Sequence, residues 1–492
     1  MSKRNLFING EWVTATGNAE FPVYNPATEE VWTHVADASR EDAKAAIAAA
    51  KQAQPAWAAL PHSERARIIA KAGEILEKRA KEIQEILVPE AGSWIGKAMF
   101  ETSYSAGVYR AAAAAAYQVT GEILPSDLGK LSLVVREPLG VVSVISPWNF
   151  PVILSSRGIA VALAVGNAVV LKPSEETPVS GGLILAEILE EAGVPKGVFN
   201  VVTCSRDNVG EVGDELVTNP AVRGISFTGS TAVGAEIAAK AGRLFKRCVL
   251  ELGGKDALIV LDDADIERAV NAATFGAFMH QGQICMSVER IIVDRKIAET
   301  FTEQFVANVK KLKVGDPKEI GNCIGPVINR KQLERIVAHV DDAVSRGAKL
   351  LAGGGHKGLF YEPTVLADVT PDMRVFREET FGPVAPIIVA NDEDDAVRLA
   401  NDSDYGLSAG IITADEERGL AVARRLNTGM AHVNDSSVHD EPHVPFGGIG
   451  ASGLGRHGGR PGIEQFTELR WVTLERGGRH YPPMFVVNPE HH

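Results

Sequence analysis

At 492 residues, with 45% apolar and 23% charged side chains, the chain reads as an ordinary globular protein of two or three domains with ample core. A formal net charge of −13 argues against nucleic acid or an anionic membrane as the main partner, and leaves a small or apolar substrate. MSKRNLFINGEWV at the start carries no secretory pattern, and the most apolar run (159–171) is short and broken by Gly166 and Asn167, so no membrane span is expected. Four scattered cysteines, Cys204, Cys248, Cys285 and Cys323, give neither metal-ligand spacing nor a disulfide framework, which fits a metal-free protein of the reducing cytoplasm.

The first 120 residues predict helices after a short β-like start in NLFINGEWV; Ala-rich patterned segments cover 39–57, 63–91 and 93–119. A strand-rich patch runs from Leu131 to Asn149. Short apolar strands follow at 168–174, 197–204, 223–229 and 248–254, with helical patterns between them, one opened by Thr177 as N-cap and Pro178 in the first turn. A second alternating series begins at 257–263 and continues through 290–294, 386–390, 408–413 and 430–434. Strands alternating with helices make βαβ units, so the expected fold class is α/β, with two doubly wound parallel-sheet lobes meeting near residue 252.

Three stretches are candidates for holding a nucleotide. GGIGASGLGRHGG (447–459) matches the dinucleotide fingerprint literally, but EPHVP precedes it in place of a strand and too little chain follows for a βαβ unit, so it reads as a glycine-rich loop near a cleft. SFTGSTAVG is better placed: Gly229 and Gly234 follow a strand and open a helix, which suits an ordinary tight turn and a pyrophosphate site equally. Lys172 and Glu175 in LKPSEETP sit at the end of a strand, where they are either solvated loop residues or contacts to a ribose.

Eight stretches in order resemble the aldehyde dehydrogenase superfamily: SPWNFP (146–151), LKPSEETP, FTGSTAVG, LELGGKDALIV (250–260), GQIC (282–285), EETFGPV (378–384), NDSDYGLSAGI (401–411) and PFGGIGASGLGR (445–456). The resemblance covers essentially the whole chain. It implies Cys285 as the nucleophile toward an aldehyde, the Asn149 amide and the Cys285 N–H as an oxyanion hole, and Glu251 as the base that activates water against the thioester. Glu468 matches a glutamate that relays protons beyond Glu251, and is otherwise a surface carboxylate. NAD is the implied cofactor, with NADP less preferred because Glu175 faces the 2′-position. Its contacts would come from Trp148, Lys172, Glu175, Gly229, Ser230, Gly234, Glu379 and Phe381.

Within the superfamily, NDSSVHDEPHVPFGG (434–448) and FTELRWVT (466–473) look most like bacterial benzaldehyde, vanillin and salicylaldehyde dehydrogenases, so an aromatic aldehyde is the expected substrate. Phe150, Ile284, Met286 and Phe446 would line an apolar slot, and Arg157 would face either a ring substituent or a structural carboxylate. The family's architecture implies a dinucleotide-binding domain (1–117 and 139–251), a catalytic domain (252–452) and an oligomerisation flap (118–138 and 466–492), hence a homodimer or homotetramer. Two rivals stand beside this reading: a thiol hydrolase with His280 as base, and a non-catalytic NAD-binding protein on the same fold.

Overall fold

The computed structural model describes residues 4–477. Five parallel strands, β1 (Val141–Ile145), β2 (Ala168–Lys172), β3 (Phe199–Val201), β4 (Val222–Thr228) and β5 (Arg247–Glu251), lie side by side in the order 3-2-1-4-5. This is the doubly wound order, and its reversal between β1 and β4 opens a crevice at the strands' C-terminal ends. Both edges are closed by distant parts of the chain. Leu6–Ile8 pairs antiparallel with β3, and Gly453–Leu454, from the glycine-rich loop, pairs antiparallel with β5.

The second sheet contains β6 (Asp256–Val260), β7 (Val288–Asp294), β8 (Thr364–Ala367), β9 (Val384–Ala390), β10 (Ala409–Ile412) and β11 (His432–Val433), all parallel, in the order 8-9-7-6-10-11. Lys349–Ala352 adds an antiparallel edge to β8. Neither β8 nor this edge strand is legible in the sequence, because four-residue segments are too short to display a period. A third sheet, of Glu122–Leu124, Leu131–Pro138 and Thr467–Leu474, is antiparallel. Residues 478–492 of the expected flap lie outside the described residues.

Three helices frame the crevice. α1 (Ile95–Ala115) packs along α2 (Pro151–Ala164), which starts right after β1 with proline at its first position. α3 (Thr231–Arg243) follows β4. Two expectations for helices need correction. The segment 63–91 is two helices, His62–Lys78 and Ala80–Ala91, broken at Arg79. Thr177 does not cap its helix: its hydroxyl has no partner, and the free N–H groups of Val179 and Ser180 donate to the buried Glu90 carboxylate at 2.8 Å each. Among the described residues no helix is long and apolar enough to cross a membrane.

Candidate active site

The crevice predicted by strand order is a cleft of about 290 Å³, and both lobes line it. From the first sheet come Trp148 and Asn149 beyond β1, Gly229 and Ser230 beyond β4, and Glu251 at the end of β5. From the second lobe come Cys285, in the loop entering β7, and Glu379 and Phe381, in the loop entering β9. Residues separated by more than 200 positions thus meet because the C-terminal ends of the first sheet's strands face the N-terminal ends of β7 and β9 in the second, where their entering loops lie.

Among residues 281–287 Cys285 is half-buried and the other six are buried. Two consecutive left-handed residues, His280 (φ 49°) and Gln281 (φ 57°), turn the chain ahead of it. Glu251 faces the same space, fully buried, and neither carboxyl oxygen has a hydrogen-bond partner. Burial raises Glu251 to about 7, against the pull of the Cys285 thiol and Arg157. Burial, and then the adjacent Glu251, push the Cys285 thiol well above its ordinary range. At rest Cys285 is therefore held as the thiol, while Glu251 is divided between carboxyl and carboxylate near neutral pH, and its ionised form is the base that faces the thiol. Asn149 is buried beside them; its side-chain amide donates to the Gln283 carbonyl at 3.0 Å, which uses one of its two hydrogens.

The rest of the cleft fits a dinucleotide. No side chain caps α3, Ser230 at its N-cap is exposed, and a Cβ on Gly229 would strike the Phe227 ring at 2.5 Å, so the turn offers a helix N-terminus to an anion. Gly234 does not line the cleft: a Cβ there would meet Leu252 at 2.3 Å, so this glycine serves the packing of α3. Lys172 is buried with its ammonium on the Pro173 carbonyl at 2.8 Å, while Glu175 lines the cleft with Arg206 3.9 Å away, a cation that sequence reasoning missed. The Trp148 and Phe381 rings meet edge to face at 5.4 Å.

Phe381 itself is left-handed (φ 55°), and the loop is pinned by Glu289, whose carboxylate accepts the N–H groups of Thr380 and Phe381 at 2.7 Å each and the buried Lys255 ammonium at 2.6 Å. Glu379 accepts the Gly254 N–H at 3.0 Å and is pushed up to about 7 by burial and then by Glu289. Neither Glu289 nor Lys255 was singled out from the sequence.

Glu468 is not brought to the site. It is exposed, and forms a two-pronged ion pair with Arg247, at 2.8 and 3.1 Å. Arg247 begins β5 and Glu251 ends it, about 13 Å apart at strand rise. The surface-carboxylate alternative describes its position.

On the other side of Cys285, Phe150, Ile284, Met286 and Phe446 come together with Ile153, Leu154 and Leu407 in one apolar cluster, against which Cys285 and Tyr104 pack. Arg157 closes one wall. Its guanidinium pairs with Asp440 and lies 4.0 Å over the Phe446 ring, so the structural-carboxylate alternative holds for this side chain. Its Nη1, the second Asp440 oxygen and the Tyr104 hydroxyl are buried without partners, giving the slot a polar end. His280 is fully buried, with neither ring nitrogen partnered, and packs edge-on against Phe150 at 5.3 Å. Burial lowers its pKa well below the usual histidine range and no carboxylate orients it, which speaks against a histidine-based thiol hydrolase.

Fold and cleft together define a two-lobed α/β protein with a thiol between a dinucleotide-shaped groove and an apolar slot. The chain belongs to the aldehyde dehydrogenase family, whose profile matches residues 12–472. It is 46% identical to a vanillin dehydrogenase of Pseudomonas fluorescens over 97% of this chain and 99% of that one. It is 45% identical to a benzaldehyde dehydrogenase [NAD(+)] of Pseudomonas putida, over 96% and 97% of the two chains. Among solved structures, a salicylaldehyde dehydrogenase from Pseudomonas putida G7 complexed with salicylaldehyde superposes with a TM-score of 0.95 at 42% identity, covering 98% of this chain and all of that one.

Proposed function

We propose that the protein oxidises an aromatic aldehyde to its carboxylic acid, with NAD as the oxidant. The observation that carries this reading is the convergence of Cys285, Glu251 and Asn149 on one cleft, between the uncapped start of α3 and the apolar slot. Glu251 takes the thiol proton as substrate arrives, and the Cys285 sulfur bonds to the aldehyde carbon. The second amide hydrogen of Asn149 and the Cys285 N–H hold the oxygen that becomes negative; one such donor is worth about 10²–10³ in rate. NAD held against Trp148, Phe381 and Glu379 would supply the hydride acceptor for that carbon. Cys285 is then a thioester; Glu251, having passed the thiol proton to solvent, takes a proton from water, whose oxygen bonds to the acyl carbon as the carbon–sulfur bond breaks. The acid leaves and the thiolate is restored.

Glu175, Ser230, Glu379 and the Trp148–Phe381 pair are the residues that would hold NAD. A carboxylate at Glu175 repels a 2′-phosphate while Arg206 attracts one, so NADP is used less well but is not excluded. Ring faces and thioether in the slot suit a planar substrate, and the vanillin, benzaldehyde and salicylaldehyde dehydrogenases among the relatives support the same class.

The test is formation of reduced nicotinamide with benzaldehyde and hydroxybenzaldehydes against hexanal, acetaldehyde and succinic semialdehyde. Aromatic contacts predict a lead of about tenfold in kcat/KM for the aromatic set. A lead for any aliphatic aldehyde refutes the substrate class, and turnover in Cys285→Ala comparable to wild type refutes the mechanism. The segments 1–117 with 139–251, 252–452, and 118–138 with 466–492 are assigned dinucleotide binding, catalysis and assembly into a homodimer or homotetramer. The exposed apolar residues Ile123, Leu469 and Trp471 on the third sheet support the last assignment.

A further inference from the structure

Asn149 is gripped from behind by two side chains of α1. Lys97 and Glu101 stand one turn apart, fully buried, and pair at 2.5 Å. The Lys97 ammonium also donates to the backbone carbonyl of Asn149 at 2.7 Å and to the Ser93 hydroxyl at 3.2 Å, and it lies 4.3 Å from the centre of the Phe150 ring. Its three protons are thereby placed. Glu101 uses its other oxygen to accept the N–H groups of Val152 and Ile153, at 2.8 and 3.4 Å. These N–H groups open α2 immediately after Pro151, which has none to give. One side chain therefore holds the chain at residue 149 and the other at residues 152–153, on either side of the bend that carries Asn149 into the cleft.

An ion pair is a costly way to fill a protein interior, and apolar side chains of similar size commonly serve stability as well. They cannot fix a carbonyl oxygen and two N–H groups in place. A hydrogen-bond donor to a developing oxyanion does need such fixing, since its benefit comes from being oriented before the charge appears. We propose that Lys97 and Glu101 are positioning residues, a buried ionic clamp that sets the Asn149 amide for the negative oxygen formed when Cys285 adds to the aldehyde. The inference rests on reading Asn149 as that donor.

A double-mutant cycle tests it in the full-length protein. The readout is the single-turnover burst of reduced nicotinamide with benzaldehyde, in wild type, Asn149→Ala, Lys97→Met/Glu101→Leu and the combination. The clamp variant should slow the burst by about 10- to 100-fold, less than the loss of a whole donor, with aldehyde KM within about twofold of wild type. In the Asn149→Ala background the same replacement should cost nothing further. Equal slowing in both backgrounds, or a burst within about twofold of wild type, overturns the clamp. An unchanged burst in Asn149→Ala by itself overturns the reading of Asn149. Should the double replacement fail to fold, Glu101→Gln takes its place in the cycle, with slowing of about 3- to 10-fold that again vanishes without the Asn149 amide.

Discussion

Glu251 has to be a carboxylate to accept a proton, yet it stands where water does not solvate one. Its pKa near 7 is the compromise, and it makes two effects of pH separable. Thioester hydrolysis should rise as pH climbs through about 7, because only the ionised form acts as base. Stability should move the other way. A buried carboxyl whose folded pKa lies above its unfolded value favours the native state at low pH, and loses that advantage between about 4.5 and 7, up to about 3 kcal/mol. Glu251→Gln should therefore raise the melting temperature at pH 8 and leave it unchanged near pH 4.5, measured by calorimetry. A shift of equal size at both pH values would contradict the buried carboxyl. In the same variant a slowed single-turnover burst followed by a stalled acyl-enzyme is expected, because both the thiol and the attacking water lose their base.

At the scale of elements, the loop entering β9 is the least self-sufficient part of the cleft. Phe381 adopts a backbone conformation uncommon for a bulky residue; Glu289 on β7 accepts the N–H groups of Thr380 and Phe381, and the Gln332 amide donates to their carbonyls at 2.9 and 2.8 Å. Glu289→Gln keeps the shape but exchanges one acceptor for a donor that meets an N–H group or the ammonium of Lys255 head on. The KM for NAD should rise about tenfold, with the rate of Cys285 alkylation by iodoacetamide unchanged; a KM equal to wild type would show that the loop holds itself. Glu289 also shows where sequence reading stops. Cys285, Glu251 and Asn149 were legible because each lies in a local stretch of recognisable pattern. Glu289 sits between Val288 and Arg290 in an apolar strand, and its partners are 34, 91 and 92 residues away, so nothing local marks it. Asp440, which takes the guanidinium of Arg157 from 283 positions away, was invisible for the same reason. Strand alternation fared better, since burial of a parallel sheet on both faces leaves continuous apolar runs in the chain.

For the whole molecule, the third sheet presents Ile123, Leu469 and Trp471 to solvent at 74%, 53% and 70% exposure, and the proposed assembly would cover them. Leu469→Glu with Trp471→Glu should lower the mass found by light scattering and leave the cleft residues untouched. An unchanged mass, or a monomeric wild type, would remove the flap from assembly. The antiparallel strand Gly453–Leu454 has a different consequence, one of timing. It covers the outer edge of β5, but it is made about 200 residues after Glu251. At about 5–20 residues per second of synthesis, the nascent first lobe waits roughly 10–40 s with a bare strand edge and with Glu251 at its rim. Such an edge invites pairing with other chains. Completion of the first lobe thus waits on translation of the lobe that follows it, and the ribosome's pace over those residues sets how long the growing chain is open to misassembly.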